Sequence, residues 1–510
     1  MTSPWTDDLM PTAGGPPQSP RPRSAPKRTG VPGAIAALVV VVALGALAIP
    51  VFSLARGAKS FWPEKWDPRI APIAARDERV RGLKYDHPVA VRFLSDAEFK
   101  KLAGGGNTGV DAAARREIER EAATFRALGF IGGNVDLFKV TKQANEAGVL
   151  AFYDFNKKEI VVRGTTLDVS HRTTLAHELT HVLQDQHFDL RKIEARASAD
   201  DERRGGSAGA MLAIIEGDAN SVEDSYVKAL SAAQKQQYDR QQAALGTSFG
   251  KATVGVPPFV QLLFAAPYEL GPLTIRMLVA DGGYGAVDQA LTGPTPTSAD
   301  FVQAGLVAPP PPNLPAPALA AGETVVGPGE AFGAFELYVM LSTRVDAATA
   351  LSASDAILGG RAQGLRRHGT YCYRARLATR DVPAATFVVG SLNRWATKAT
   401  GASVSRVGAS VTFTACDPGK GAVGASKQTL DAAELLLGGR SGIAVSAAEN
   451  GVPPGAARCV ARLFALSPGA LDTLEQAGRG TLPPAGVKQL RDLVRQEAVT
   501  CRGNPKAGLL

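Results

Sequence analysis

From Thr29 to Ala55 the chain runs for 27 residues without one charged side chain, and Ala34–Ile49 holds only apolar residues and a glycine. That length suits a membrane-spanning helix, which needs about 20 apolar residues. A buried helix of a soluble protein is the alternative, but the length and the lack of any polar face speak against it. Arg21, Arg23, Lys27 and Arg28 crowd the N-terminal side of the stretch. The excess of positive charge there predicts a cytoplasmic N-terminus and an extracytoplasmic remainder, residues 56–510. Ala46-Leu47-Ala48 resembles a signal-peptidase site. The long preceding tail and the extended apolar run instead favour an uncleaved signal-anchor over residues 31–55. The tail itself, residues 1–30, contains seven prolines and little to bury, so it reads as disordered.

This topology gives the cysteines meaning. All four (Cys372, Cys416, Cys459 and Cys501) follow the span, and an even number in an exported region suggests two disulfides. Of three possible pairings we expect Cys372 with Cys416, on two predicted strands, and Cys459 with Cys501, on two predicted helices. No CxxC pair is present, so a thiolate zinc site is not expected. The net charge of +8 is diffuse over 510 residues and does not by itself argue for nucleic acid, so no nucleic-acid partner is expected.

The chain is longer than one compact core usually holds. After a juxtamembrane segment, residues 56–85, we expect a first domain over 86–307. A Pro-rich connector follows over 308–319, then a C-terminal accessory region over 320–510. Strands are predicted at Val89–Phe93, Gly148–Asp154 and Glu159–Arg163, the last two joined as a hairpin by residues 155–158. Ser95-Asp-Ala-Glu98 supplies a capping-box helix start. Helices are predicted around 111–128, 171–187 and 206–232. Further on, Thr370–Thr379 and Val404–Cys416 look strand-like around a helix over 384–399, and the last eighty residues are mainly helical. The fold class is therefore α+β.

Chemistry concentrates in His171–His187, which holds four of the six histidines. Spacing of i and i+4 stacks His177 and His181 on one helix face, so their imidazoles can converge on one ion. Glu178 then projects beside that ion, placed to take a proton from water it activates. This is the HExxH pattern of zinc hydrolases. A third protein ligand is needed, and there are two candidates. Glu216, in Ile214-Ile-Glu-Gly-Asp218, is an isolated acid on an apolar helix, which normally demands a cation. His187 would require the helix to break near Gln184, where no glycine allows it. Glu216 is preferred, with His187 left to cap the helix C-terminus or donate a hydrogen bond. Asp218 would point away from Glu216 and orient a backbone or basic group.

His177-Glu-Leu-Thr-His181 followed by a helix bearing Glu216 resembles the gluzincin class of zinc metallopeptidases, which includes thermolysin. The longer string HELTHVLQDQHFDL with IIEGDA downstream is similar to a group of membrane-anchored bacterial metallopeptidases. The Lys-poor, Ala/Gly/Arg/Pro-rich composition suggests a high-GC actinobacterium. The resemblance covers roughly residues 86–300 and implies a zincin-like mixed α/β peptidase domain. By analogy, His177, His181 and Glu216 would bind Zn2+ and Glu178 would be the general base. It would act on a peptide or protein substrate in the cell envelope. Gluzincins commonly place an acid four residues after the glutamate ligand to support a histidine. Here that position is Asn220.

An oxyanion donor is also needed, and Tyr226 and Tyr268 are possible sources. Tyr268 lies in Phe264–Gly271, which reads as a loop entering a helix. The strand over Gly148–Asp154 could offer an edge to an extended peptide. The competing expectation is a non-catalytic envelope binding or assembly protein that retains a zinc-binding helix.

Overall fold

The structure, a computed structural model, describes residues 62–103, 112–203, 207–303, 305 and 311–503. The N-terminal tail, the expected membrane span and the first residues of the Pro-rich connector lie outside the described residues.

In chain order, α1 (Ala71–Arg81) leads to β1 (Ala90–Leu94), α2 (Asp96–Ala103), α3 (Ala112–Leu128) and α4 (Leu137–Gly148). The hairpin β2 (Ala151–Asp154) and β3 (Glu159–Arg163) comes next. Then follow α5 (Val169–Phe188), α6 (Leu190–Arg203), α7 (Ala208–Lys228), α8 (Ala232–Ala252), α9 (Pro258–Thr292) and α10 (Ser298–Val302). Beyond the prolines come β4 (Glu323–Ala331), α11 (Ala334–Ser342), α12 (Ala347–Asp355), β5 (Ile357–Arg367), β6 (Thr370–Thr379) and α13 (Val382–Ala396). The chain continues with β7 (Ser403–Val407), β8 (Ser410–Cys416), α14 (Lys427–Glu449), α15 (Pro454–Leu466), α16 (Ala470–Gly478) and α17 (Pro484–Gly503).

Local chemistry explains many of these boundaries. Ser95 closes the expected capping box, its N–H and Oγ–H both donating to Glu98 at 3.0 and 2.6 Å. Asp136, Asp168, Ser207 and Ser231 each accept a backbone N–H at the start of a helix. The β2–β3 turn closes on Lys158, which takes a left-handed φ of 57°.

Two sheets organise the fold. The first has the order β1-β3-β2, with β1 parallel and β2 antiparallel to β3. On one face, Ala151, Tyr153, Ile160 and Val162 pack on Leu175, Ala176, Leu179 and Val182 of α5, joined by Ile73 and Ala74 of α1. On the other, Phe152 and Val161 meet Phe99 of α2. The sheet is thus covered on both faces, which explains why β2 and β3 read as apolar runs. The second sheet is fully antiparallel, in the order β4-β5-β6-β8-β7. The extended proline stretch does not interrupt the core. Phe259, Leu262 and Leu270 of α9 share one apolar cluster with Leu337, Tyr338 and Leu341 of α11 and Leu436 of α14.

Both expected disulfides are present, Cys372–Cys416 between β6 and β8 and Cys459–Cys501 between α15 and α17. Three expectations need correction. The strand expected over 404–416 is a hairpin that turns at Gly408, whose φ is 58°. The helix expected over 206–232 stops at Lys228, because Ser231 caps a new helix with Gln234. Phe264–Gly271 is not a loop but the interior of α9, which carries both Pro267 and Pro272. Each proline removes one helical hydrogen bond, and burial against α7 and α14 keeps the helix continuous through them. Among the described residues α9 alone is long and apolar enough to cross a membrane, yet half of its apolar window is buried in the protein.

The second sheet carries a buried charge clamp. Arg374 donates twice to Glu323 at 2.7 Å and Arg367 once at 2.8 Å, and the Glu323 side chain is 1% exposed. The Arg374 fork, followed by the Ala320 N–H and Arg367, holds the Glu323 carboxyl down to about 2. A depressed carboxylate stabilises the fold fully above its unfolded pKa of about 4.3, and that contribution fades as the pH falls toward 2. Glu323→Gln is expected to cost about 1–3 kcal/mol at pH 7 in chemical denaturation, with a gap that narrows by pH 3. A gap unchanged between pH 7 and pH 3 would contradict this.

Candidate metal centre

The centre of the molecule is α5, buried from Val169 through Asp185 on almost every side. Asp168 caps it and also accepts from the His171 ring, whose other nitrogen contacts the Arg163 carbonyl at 3.0 Å. His171 is therefore part of the helix start. One and a half turns on, His177 and His181 stack as expected, with their Nε2 atoms 3.1 Å apart. α7 crosses α5 and brings Glu216 Oε2 to 3.1 Å from His177 Nε2 and 3.6 Å from His181 Nε2. All three residues are at most 4% exposed.

The surrounding hydrogen bonds decide which nitrogens carry protons. The Gln184 amide nitrogen lies 2.9 Å from the Ile215 carbonyl and 3.0 Å from Asp218 Oδ2, both acceptors. Its oxygen must then be the atom 2.8 Å from His181 Nδ1, so Nδ1 carries the proton. On the other ring, His177 Nδ1 faces the Glu223 carboxylate at 3.4 Å. With its proton on Nδ1, as on His181, that ring also turns an unprotonated Nε2 inward. Two nitrogen lone pairs and a carboxylate oxygen converge with no donor between them. A proton moved or added to the inner nitrogen of a ring, or a metal ion, resolves that arrangement.

A metal ion fits. Four ligands at about 2.0–2.1 Å from a tetrahedral ion lie ~3.3 Å apart, and the three observed separations straddle that value. His177, His181 and Glu216 form the one such donor group among the described residues. Charge follows the same pattern. Against the burial that would raise it, the facing imidazoles of His181 and His177 hold Glu216 down to about 2. Against the burial that would lower them, Glu216 and neighbouring carboxylates raise both histidines.

Glu178 lies beside the group and is fully buried. Its Oε2 accepts the Tyr153 N–H of β2 at 2.8 Å, while Oε1 has no partner. Burial raises the carboxyl to about 7, opposed by His177 and His181. β2 is the outer strand of its sheet. Asp185 anchors it to α5 by accepting the Tyr153 hydroxyl at 2.7 Å and pairing with Lys158.

Of the two tyrosines, only Tyr268 reaches the centre. Its ring stacks over His177 at 6.4 Å and its hydroxyl is bonded to Glu216. Burial, then the charges of Glu216 and Glu178, raise the phenol well above its usual range, so it remains a donor. Tyr226 instead lies beneath Arg76 and against the apolar layer between α5 and the first sheet. His187 is exposed and turns away to the Lys84 carbonyl at 2.7 Å, outside the donor group. Asp218 does point away from Glu216, toward Arg81 and Gln184.

The resemblance placed a supporting acid where this chain has Asn220; the acid that faces His177 here is Glu223. Seven residues separate Glu216 from Glu223, two helical turns, so both acids lie on the same stripe of α7 and face opposite nitrogens of His177. That spacing was readable in the sequence. Comparison with protein families, with curated proteins and with solved structures found no match.

Two glycines set the position of Glu216 and Tyr268. α7 and α9 cross at Gly217 and Gly271, where a Cβ on Gly217 would lie 2.4 Å from the Gly271 carbonyl carbon. A Cβ on Gly271 would lie 2.4 Å from the Ala213 oxygen. Gly217→Ala must push the helices apart and is expected to cost about 1–3 kcal/mol. In calorimetry its melting temperature should fall by several degrees. Gly246→Ala, in α8 with open space around it, should be neutral or stabilising. Equal melting temperatures for the Gly217 variant and the parent would contradict the close crossing.

Proposed function

We propose that this chain is a membrane-anchored, extracytoplasmic zinc metallopeptidase. The observation that carries the reading is three buried acceptors converging beside a carboxylate, Glu178, with one free oxygen. Two histidines and a glutamate form a donor set used by hydrolytic zinc. Zinc bound there supplies a Lewis acid and lowers the pKa of a water toward neutrality. The chain's own groups divide the remaining work. The Tyr153 N–H holds Glu178 Oε2, leaving Oε1 to receive the proton of the attacking water and return it to the leaving amine. Tyr268, a neutral donor stacked on His177, would stabilise the negative charge that develops on the carbonyl oxygen once its hydroxyl turns from Glu216.

A peptide is favoured over other substrates because β2, an outer strand, runs beside Glu178. From there, main-chain hydrogen bonds can hold an extended chain. Anchoring through residues 31–55 would present the site outside the membrane. The two disulfides suit that oxidising side.

The near-complete burial of the four residues favours a second reading. In it, the same group is a structural metal site of an envelope binding or assembly protein. The two readings part on Glu178. Full-length protein incubated with a fluorogenic peptide library should cleave at least one sequence, and Glu178→Gln should reduce the rate by about 10²–10⁴-fold with its metal retained. Metal-loaded parent that cleaves none of the library would favour the structural reading.

A further inference from the structure

The ligand helix is tied to α1, the segment assigned from sequence to the juxtamembrane stretch outside the first domain. Arg81, the last residue of α1, is 1% exposed. Its Nε donates to Asp218 at 2.9 Å, and its Nη2 pairs with Asp288 of α9. Its guanidinium also lies over the Tyr284 ring, 4.9 Å from the centroid. Asp218 and Gln184 are both fully buried. Asp218 Oδ2 accepts from the Gln184 amide at 3.0 Å, and Gln184 Oε1 accepts from His181 Nδ1 at 2.8 Å. An unbroken chain of hydrogen bonds thus runs from α1 to the imidazole.

Each link has a fixed direction. Arg81 can only donate, so Asp218 accepts from it. Asp218 accepts again from Gln184 and, with the Ile215 carbonyl, fixes the amide orientation and turns Oε1 to the histidine. His181 must then hold its proton on Nδ1 and offer Nε2 to the site. Without Arg81, Asp218 would be a buried carboxylate lacking both its cation and its tie to α1, and it would hold the Gln184 amide less firmly. The Ile215 carbonyl, 2.9 Å from the Gln184 nitrogen, keeps the amide facing the same way, so the loss falls on how firmly Gln184 Oε1 is seated against His181 Nδ1 and hence on the aim of the ring.

We infer that Arg81 is a positioning residue that couples the docking of α1 to the orientation of the His181 imidazole, and through it to the metal affinity of the site. The inference rests on reading His177, His181 and Glu216 as a metal site. Partners that hold a ligand histidine typically contribute 10–100-fold to metal affinity.

The test uses full-length protein and Co2+ or Zn2+ alone, with affinity measured by chelator competition and the Co2+ complex followed by visible absorption. Arg81→Met should weaken binding by about 10–100-fold and alter the Co2+ spectrum in the folded protein. The double variant Arg81→Met/Asp218→Asn removes both charges and leaves an amide oxygen on α7 to accept from Gln184, so it should recover most of the lost affinity. Gln184→Met deletes the last link without stranding a charge and should match Arg81→Met. It carries the test if Arg81→Met does not fold, since parental affinity in Gln184→Met breaks the relay at His181. Folded Arg81→Met with parental affinity and spectrum, or a double variant no better than the single, would overturn the proposal. A parent that binds neither metal, while folded, would overturn the metal reading instead, and the relay with it.

Discussion

Two imidazole nitrogens and the carboxylate oxygen of Glu216 lie within 3.6 Å of one another and sealed from water, which leaves a buried negative charge in need of a close cation or donor. Desolvation makes that requirement strict, because an unpaired buried charge or lone pair has no water to turn to. Much of the molecule around α5 answers this constraint. Glu223 and Gln184 face the outer nitrogens and aim the inner ones. Arg81 and Asp218 balance charge behind Gln184. Tyr268 closes the side facing α9.

The packing makes such closeness tolerable. Three helices and one sheet meet at the site, and the tightest approach is backbone to backbone at Gly217 and Gly271. A side chain at either position would separate Glu216 and Tyr268 from the histidines. On the opposite side, Asp185 holds β2 against α5 through Tyr153 and Lys158, which keeps the Tyr153 N–H on Glu178. The second sheet and the C-terminal helices share the apolar core that buries α9, and so support Tyr268 from behind.

Some of this was legible in the sequence because the signals are local. The i, i+4 histidines, the isolated Glu216, the Ser95 capping box and the β2–β3 hairpin depend on spacings of a few residues. The disulfides followed once strands and helices had been assigned around the cysteines. What could not be read depends on contacts between distant segments. Phe264–Gly271 read as a loop entering a helix, yet packing carries α9 through it and through Pro267 and Pro272. Nothing local joins Arg81 to Asp218, 137 residues apart. Glu223 lay within reach as an i+7 partner of Glu216. A resemblance that pointed to the i+4 position drew attention to Asn220 instead.

The central claim is that the buried group holds one metal ion through Glu216. The most direct measurement is metal content of purified full-length protein, by mass spectrometry of the elements after zinc resupply and removal of free ions. The account predicts about one zinc per chain in the parent and in His187→Ala, and a loss of zinc in folded Glu216→Ala. A folded parent without zinc, or zinc that depends on His187 and not on Glu216, would contradict it.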